Sequence, residues 1–174
     1  MIFIRPNLAV CGFRGIGTRD QFLHHGFDAQ LQCAESFDSW LPACLDVKAS
    51  PFADAAPIPP EVFAASQAWL AGHWDQGHKI LISCAGGASR SATMAIGLLA
   101  LKGGLTFLEA TTQTLQLVPD AYPHPLVLVS AALMCGQPPT LAELQLAYKS
   151  KSVLPRFPWS ESLLLEAIQL IAKR

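Results

Sequence analysis

The sequence of 174 residues has no excess of charge of either sign, because twelve lysines and arginines balance thirteen aspartates and glutamates. Such a balance gives no strongly basic surface of the kind that binds duplex nucleic acid or an anionic membrane. Long hydrophobic runs are also missing, since the apolar stretches 94–101 and 125–134 fall well short of the roughly 20 residues of a transmembrane helix. We therefore expect no nucleic-acid partner and no membrane span.

Secretory and metal-binding patterns are absent as well. The amino-terminal residues lack a basic segment followed by a long apolar stretch, which favours a cytoplasmic protein. No C-x-x-C pair occurs and the histidines have no ligand spacing, so we expect neither a metal nor another cofactor. Unpaired cysteines are typically buried, so we expect buried positions for Cys11, Cys33, Cys44 and Cys135. Surface positions are expected for His24, His25, His73 and His78.

The chain has enough apolar residues for one folded domain, with 51% hydrophobic and 14% charged residues. Hydrophobic periodicity predicts strands near 2–12, 27–33, 44–47 and 79–83. It predicts helices near 19–25, 61–73, 91–102, 106–117, 126–134, 140–149 and 160–172. Four prolines make 50–60 a surface loop. This order predicts an α/β fold, with a central, mostly parallel sheet flanked by helices.

The most informative segment is KILISCAGGASRS, residues 79–91, in which Cys84 ends a continuous apolar strand. Small residues follow, and Arg90 and Ser91 then begin a helix. A loop of this composition can curl so that its N–H groups and the helix N-terminus surround an anion. Arg90 can bind two phosphate oxygens in a fork, and the same positive field favours a thiolate at Cys84. The segment therefore predicts a nucleophile facing a bound phosphate.

Residues 83–91 resemble the signature of the cysteine-dependent protein tyrosine phosphatases, specifically the small dual-specificity phosphatases, whose loop has the sequence H-C-x-x-G-x-S-R-S. The resemblance extends to 7–12, 31–35, 62–70, 107–110 and 119–125. It covers about residues 1–135, which we expect to form the catalytic domain. The remaining residues 136–174 are expected to form a helical extension that packs on the same domain.

This resemblance implies a phosphomonoester hydrolase that works through a phosphocysteine on Cys84 and needs no metal. Arg90 would bind phosphate together with the loop residues Ala85, Gly86, Gly87, Ala88 and Ser89. Ser91 would assist the departure of the sulfur, and the substrate would be a phosphorylated protein or a small phosphoester. Phosphoinositides or nucleotides are alternative substrates. A second class of function is a pseudophosphatase that binds phosphorylated partners without turnover.

Two departures from the signature bear on activity. Ser83 stands where the family has a histidine that orders the loop, and a serine supplies a hydrogen bond but no charge. The general acid is also displaced, because the usual spacing falls near Pro51 and Phe52. Asp54 on the proline-rich loop is the favoured candidate, Asp46 and Asp120 are alternatives, and the absence of an acid is a further possibility. We expect His124 near the phosphate site. Arg14 and Arg19 are candidates to extend the rim of that site.

Overall fold

A five-stranded sheet lies at the centre of the computed structural model, which describes residues 1–35, 41–149 and 160–172. Its strands are β1 (Ile2–Arg5), β2 (Leu8–Gly12), β3 (Ala29–Gln32), β4 (Asp46–Ala49) and β5 (Ile80–Cys84). Their spatial order is β1-β2-β5-β3-β4. All neighbours are parallel except β1 and β2. The α/β fold with a mostly parallel sheet is therefore confirmed.

Seven helices surround the sheet in the described part of the chain. They are α1 (Arg19–His25), α2 (Pro60–Asp75), α3 (Arg90–Lys102), α4 (Phe107–Leu117), α5 (Pro125–Met134), α6 (Leu141–Tyr148) and α7 (Glu161–Ala172). Thr18, Thr106 and Thr140 each form a capping box that satisfies the first N–H groups of a helix. These caps explain why several helix starts could be predicted closely.

Alternating side chains of the strands divide the core into two layers. In β5, Ile80 and Ile82 point into the larger layer, which contains the buried residues of α2 to α7. Leu81 points the opposite way, into a smaller cluster with Phe22 of α1 and Phe27. All three β5 residues are fully buried, as expected for a strand that is covered on both faces. Cys84 at its end is thereby fixed in place.

Some predicted boundaries are wrong. The single strand predicted over residues 2–12 is an antiparallel pair, β1 and β2, because the chain turns at Pro6 and Asn7. The strand predicted at 44–47 lies at 46–49, where it pairs in register with β3. Cys44 is exposed rather than buried.

The last two helices pack on the same core as the rest of the chain. Their buried side chains Leu144, Ala147, Leu164 and Ala167 belong to the larger layer. The hydroxyl of Tyr148 donates to the Pro123 carbonyl at 3.1 Å, and burial raises the pKa of this tyrosine. A functional division between residues 135 and 136 stays a prediction. No helix in the described ranges is long and apolar enough to cross a membrane.

We expect Ile82→Ala to lower the free energy of unfolding by about 2–5 kcal/mol, because it opens a cavity in a strand buried on both faces. The matched control is Val47→Ala in edge strand β4, where the side chain is 38% exposed and the expected loss is below about 1 kcal/mol. Urea unfolding measures both. Equal losses would contradict the central position of β5.

Candidate active site

Cys84 lies at the point where β5 passes into the loop that precedes α3. Its side chain is only 2% exposed. The sulfur accepts a hydrogen bond from the Gly87 N–H at 3.2 Å, and it lies 3.2 Å from the Ser91 hydroxyl oxygen. One backbone N–H and one hydroxyl group thus lie within hydrogen-bond distance of the Sγ atom. The structure brings together Cys84 and Ser91, as the sequence predicted.

The loop depends on a close approach to the end of β2. Gly87 has a φ of +74°, and a Cβ atom there would collide with the backbone nitrogen of Gly12. A Cβ atom on Gly12 would in turn lie 2.6 Å from the Gly86 carbonyl carbon. Hydrogen bonds complete the support, from Phe13 N–H to the Ala85 carbonyl at 3.2 Å and from Tyr122 N–H to the Ala88 carbonyl at 2.8 Å.

The guanidinium group of Arg90 uses only some of its hydrogen-bond donors within the described structure. Its Nη1 donates to the carbonyl oxygens of Phe52 at 3.1 Å and Cys33 at 3.4 Å. Its Nε is buried and has no hydrogen-bond partner among the described residues. Buried donors are rarely left unpaired, and Nε shares one edge of the planar guanidinium with Nη2. That edge is suited to a bidentate anion such as phosphate.

A cavity of about 480 Å³ adjoins Arg90 and is lined mainly by apolar side chains. Phe13, Pro51 and Phe52 contribute to its wall, and Glu35 is the acidic residue of the lining. An organic group attached to a phosphate in the loop would therefore meet apolar surface on this side.

Asp54 contacts the loop of residues 85–89, which joins β5 to α3. Its Oδ1 accepts from the Ser89 hydroxyl at 2.7 Å and from the Ala55 N–H at 3.1 Å. The loop that carries Asp54 is anchored by the buried side chains of Phe52 and Ile58. The Ile58 N–H also donates to the Ser130 hydroxyl of α5 at 3.1 Å. Asp54 is exposed, so it can meet a substrate from solvent.

Asp46 occupies the opposite end of the sheet. It is level with Ile80 at the start of β5, and four residues of strand separate that level from Cys84, about 13 Å. Its Oδ2 lies 3.1 Å from His73 Nε2, and His73 Nδ1 lies 2.8 Å from His78 Nδ1. His73 is 8% exposed, so its predicted surface position is wrong.

His124 and Asp120 both lie beside the loop of residues 85–89. The His124 N–H donates to the Ser89 hydroxyl at 3.0 Å, and its Nδ1 accepts from Leu126 N–H at the start of α5. Burial lowers the pKa of His124, and the Asp54 charge opposes this effect. Asp120 and Arg14 line a cavity of about 240 Å³ beside the loop glycines. Arg19 begins α1 and is exposed.

Ser83 and Cys33 complete the surroundings of Cys84. Ser83 is fully buried, and its hydroxyl accepts from Gln30 Nε2 at 3.0 Å. Cys33 continues the pairing of β3 with β5, since its N–H donates to the Ser83 carbonyl at 2.8 Å. Burial, reinforced by the charge of Cys84, raises the pKa of Cys33, while Arg90 opposes the shift. The sequence analysis did not predict that Cys33 lies near Cys84. The signal was that Cys33 follows β3 and Cys84 ends β5, because the carboxyl ends of parallel strands meet at one edge of a sheet.

Comparison with family models gives no match, and comparison with curated proteins gives none either. Solved structures do match. Human DUSP28 superposes with a TM-score of 0.66 at 18% identity, covering 78% of this chain and 93% of that chain. DUSP15 gives 0.65 at 18% identity, covering 97% of this chain and 95% of that chain. The human tyrosine phosphatase-like serine/threonine/tyrosine-interacting protein gives 0.61 at 17% identity, with coverage of 78% and 93%.

The chain has the fold of the small dual-specificity phosphatases. The match to DUSP15 spans nearly the whole chain, so it includes most of residues 136–174, for which the sequence offered no counterpart. Within this dual-specificity phosphatase fold, Cys84 ends the buried strand β5 and Arg90 begins α3, so the two residues flank the loop of residues 85–89.

Gly87→Ala is expected to lower the melting temperature by roughly 4–8 °C, because a Cβ meets backbone and the positive φ is strained. Gly86→Ala is the matched control in the same loop, since a Cβ there meets nothing within 4 Å. Differential scanning calorimetry compares the two variants. A Gly87→Ala protein as stable as Gly86→Ala would contradict the close packing of the loop on β2.

Proposed function

We propose that this protein is a phosphomonoester hydrolase of the protein tyrosine and dual-specificity type. One observation carries the proposal: the Cys84 sulfur accepts from Gly87 N–H at 3.2 Å, while the nearby Arg90 has an unpartnered, buried Nε in the described structure. A sulfur atom that accepts a backbone hydrogen bond and a guanidinium edge that needs an acceptor suit a nucleophile facing a bound phosphate. The fold of the solved neighbours supports this proposal.

In the proposed first step, the Cys84 thiolate attacks phosphorus. A sulfur–phosphorus bond forms while the bond from phosphorus to the leaving oxygen breaks. Asp54 gives its proton to that oxygen, so that an alcohol or phenol departs. Arg90 and the loop N–H groups of residues 85–89 stabilise the negative charge on the transferring phosphoryl oxygens.

In the second step, the Asp54 carboxylate takes a proton from water. The water oxygen attacks phosphorus and the sulfur–phosphorus bond breaks. The Ser91 hydroxyl, 3.2 Å from Sγ, donates to the departing sulfur. Inorganic phosphate is released, and both the Cys84 thiolate and the protonated Asp54 are restored. This sequence of steps requires no metal ion.

A binding role without turnover is the second candidate. Ser83 stands in the position of the family histidine, and its hydroxyl is engaged with Gln30 of β3. This hydrogen bond fixes the end of β5. The loop that follows β5 would still bind phosphate if the Cys84 thiolate reacted slowly. The likeness to a tyrosine phosphatase-like interacting protein is compatible with this alternative.

The substrate is proposed to be a phosphorylated protein or a small phosphoester. The apolar wall formed by Phe13, Pro51 and Phe52 beside Arg90 suits the organic part of either. Action in the cytoplasm remains a prediction from the sequence.

We expect Cys84→Ser to reduce hydrolysis of para-nitrophenyl phosphate to background, because the hydroxyl that replaces the thiol is scarcely ionised at neutral pH. Cys44→Ser is the matched control, since Cys44 is exposed and lies outside the loop. Phosphate release from the two variants and the wild type provides the measurement. Vanadate binding without turnover in the wild type would instead favour the binding role, and Arg90→Ala should abolish that binding.

Asp54→Asn is expected to slow phenyl phosphate hydrolysis by about 10²–10⁴-fold, the usual contribution of a general acid. The poorer the leaving group, the more it needs a proton, so the loss should be much smaller with para-nitrophenyl phosphate. Asp46→Asn serves as the control carboxylate, because Asp46 lies at the other end of the sheet. Equal losses on both substrates would argue against Asp54 as the acid.

A further inference from the structure

We propose that Ser89 is a positioning residue for Asp54. The Ser89 hydroxyl holds the Asp54 carboxyl group against the loop of residues 85–89, in the orientation needed for proton transfer. This inference rests on the proposed function. Ser89 comes directly before Arg90 and is 7% exposed. Its hydroxyl donates to Asp54 Oδ1 at 2.7 Å and accepts from the His124 N–H at 3.0 Å.

The Ser89 side chain does not form the hydrogen bond that is usual at its position in the helix. Ser89 occupies the N-cap position of α3, where a serine usually accepts a hydrogen bond from the first turn of the helix. Here the hydroxyl makes no such bond. The first N–H groups of α3 are therefore not capped by Ser89 and are left for the anion that the proposed function places there. The same hydroxyl instead connects two segments that are distant in sequence.

The geometry of Asp54 gives this connection a chemical consequence. Oδ1 accepts from both Ser89 and the Ala55 N–H. Oδ2 is then the oxygen that carries the proton to be transferred. Ala55 has a φ of +60°, and no other non-glycine residue in the described ranges has a positive φ. Such strain persists where surrounding contacts impose it, and here it follows directly after the proposed acid.

The other end of the same loop offers a control. The Ser130 hydroxyl accepts from the Ile58 N–H at 3.1 Å and donates to the Val127 carbonyl at 2.9 Å. Ser130 therefore anchors the loop by a hydrogen bond without contacting Asp54. Removing its hydroxyl tests the effect of loosening the loop in general, and removing the Ser89 hydroxyl tests the contact to the acid.

The experiment measures kcat and KM for phenyl phosphate and para-nitrophenyl phosphate in the wild type, Ser89→Ala, Ser89→Thr and Ser130→Ala. We expect Ser89→Ala to lower kcat for phenyl phosphate roughly tenfold, a part of the general-acid contribution, with KM unchanged. The kcat for para-nitrophenyl phosphate should fall less than about threefold. Ser89→Thr keeps the hydroxyl and should recover most of the loss. Ser130→Ala should affect both substrates equally.

A double variant provides the decisive comparison. If Ser89 acts through Asp54, Ser89→Ala should add no further loss of phenyl phosphate hydrolysis in an Asp54→Asn background. A loss in Ser89→Ala that is equal for both substrates, or that persists in full in the Asp54→Asn background, would overturn the inference. Melting temperatures of all variants distinguish a misfolded protein from a misplaced acid.

Failure of the inference is distinct from failure of the proposed function. Turnover that depends on Cys84 but is insensitive to Ser89 would leave the hydrolase in place and overturn only the positioning role. Absence of any Cys84-dependent turnover in the wild type would overturn both.

Discussion

The close approach of two backbone segments, at Gly12 and at Gly87, is the constraint on which the site depends. A Cβ atom on either glycine would strike main-chain atoms of the other segment, and main-chain atoms cannot yield as a flexible side chain can. Only because both positions lack a side chain can the loop after β5 curl against the end of β2. That curl directs the Gly87 N–H at the Cys84 sulfur. The surroundings of Cys84 are thus set by the contact of Gly87 with Gly12, which does not involve the cysteine side chain.

Arg90 connects this loop to the proline-rich segment. One side of its guanidinium is bound by the carbonyls of Phe52 and Cys33, whereas Nε has no acceptor among the described residues. A rigid, planar group with one edge fixed presents its other edge in a defined direction. The side chain therefore fixes the loop that carries Asp54 and leaves its other edge available, where the proposed function places a phosphate. Ser89 adds a second connection between the same two segments.

Local signals explain how much could be predicted from the sequence. The buried strand β5, the glycines and the start of α3 are contiguous, so the strand–loop–helix arrangement around Cys84 could be predicted without a fold. The capping box of Thr106 likewise marks the start of α4 within a few residues. The contact from Ser89 to Asp54 joins residues 35 apart in the chain, and the contact of His73 with Asp46 joins residues 27 apart. No local pattern contains such information.

The polarity of the sheet separates Asp54 from Asp46, two of the three aspartates that the sequence left as candidates for the acid. Asp46 begins β4 and Ala49 ends it, level with Ser83 through the register of β3. After β4, the Ser50 N–H donates to the Gln32 carbonyl, which delivers the proline-rich segment to the carboxyl edge of the sheet. In open parallel sheets, ligands bind at that edge. Asp54 is therefore carried to the same side as Cys84, while Asp46 is held by His73 at the other side. The four residues of β4 therefore place Asp46 and Asp54 at opposite edges of the sheet, in separate environments.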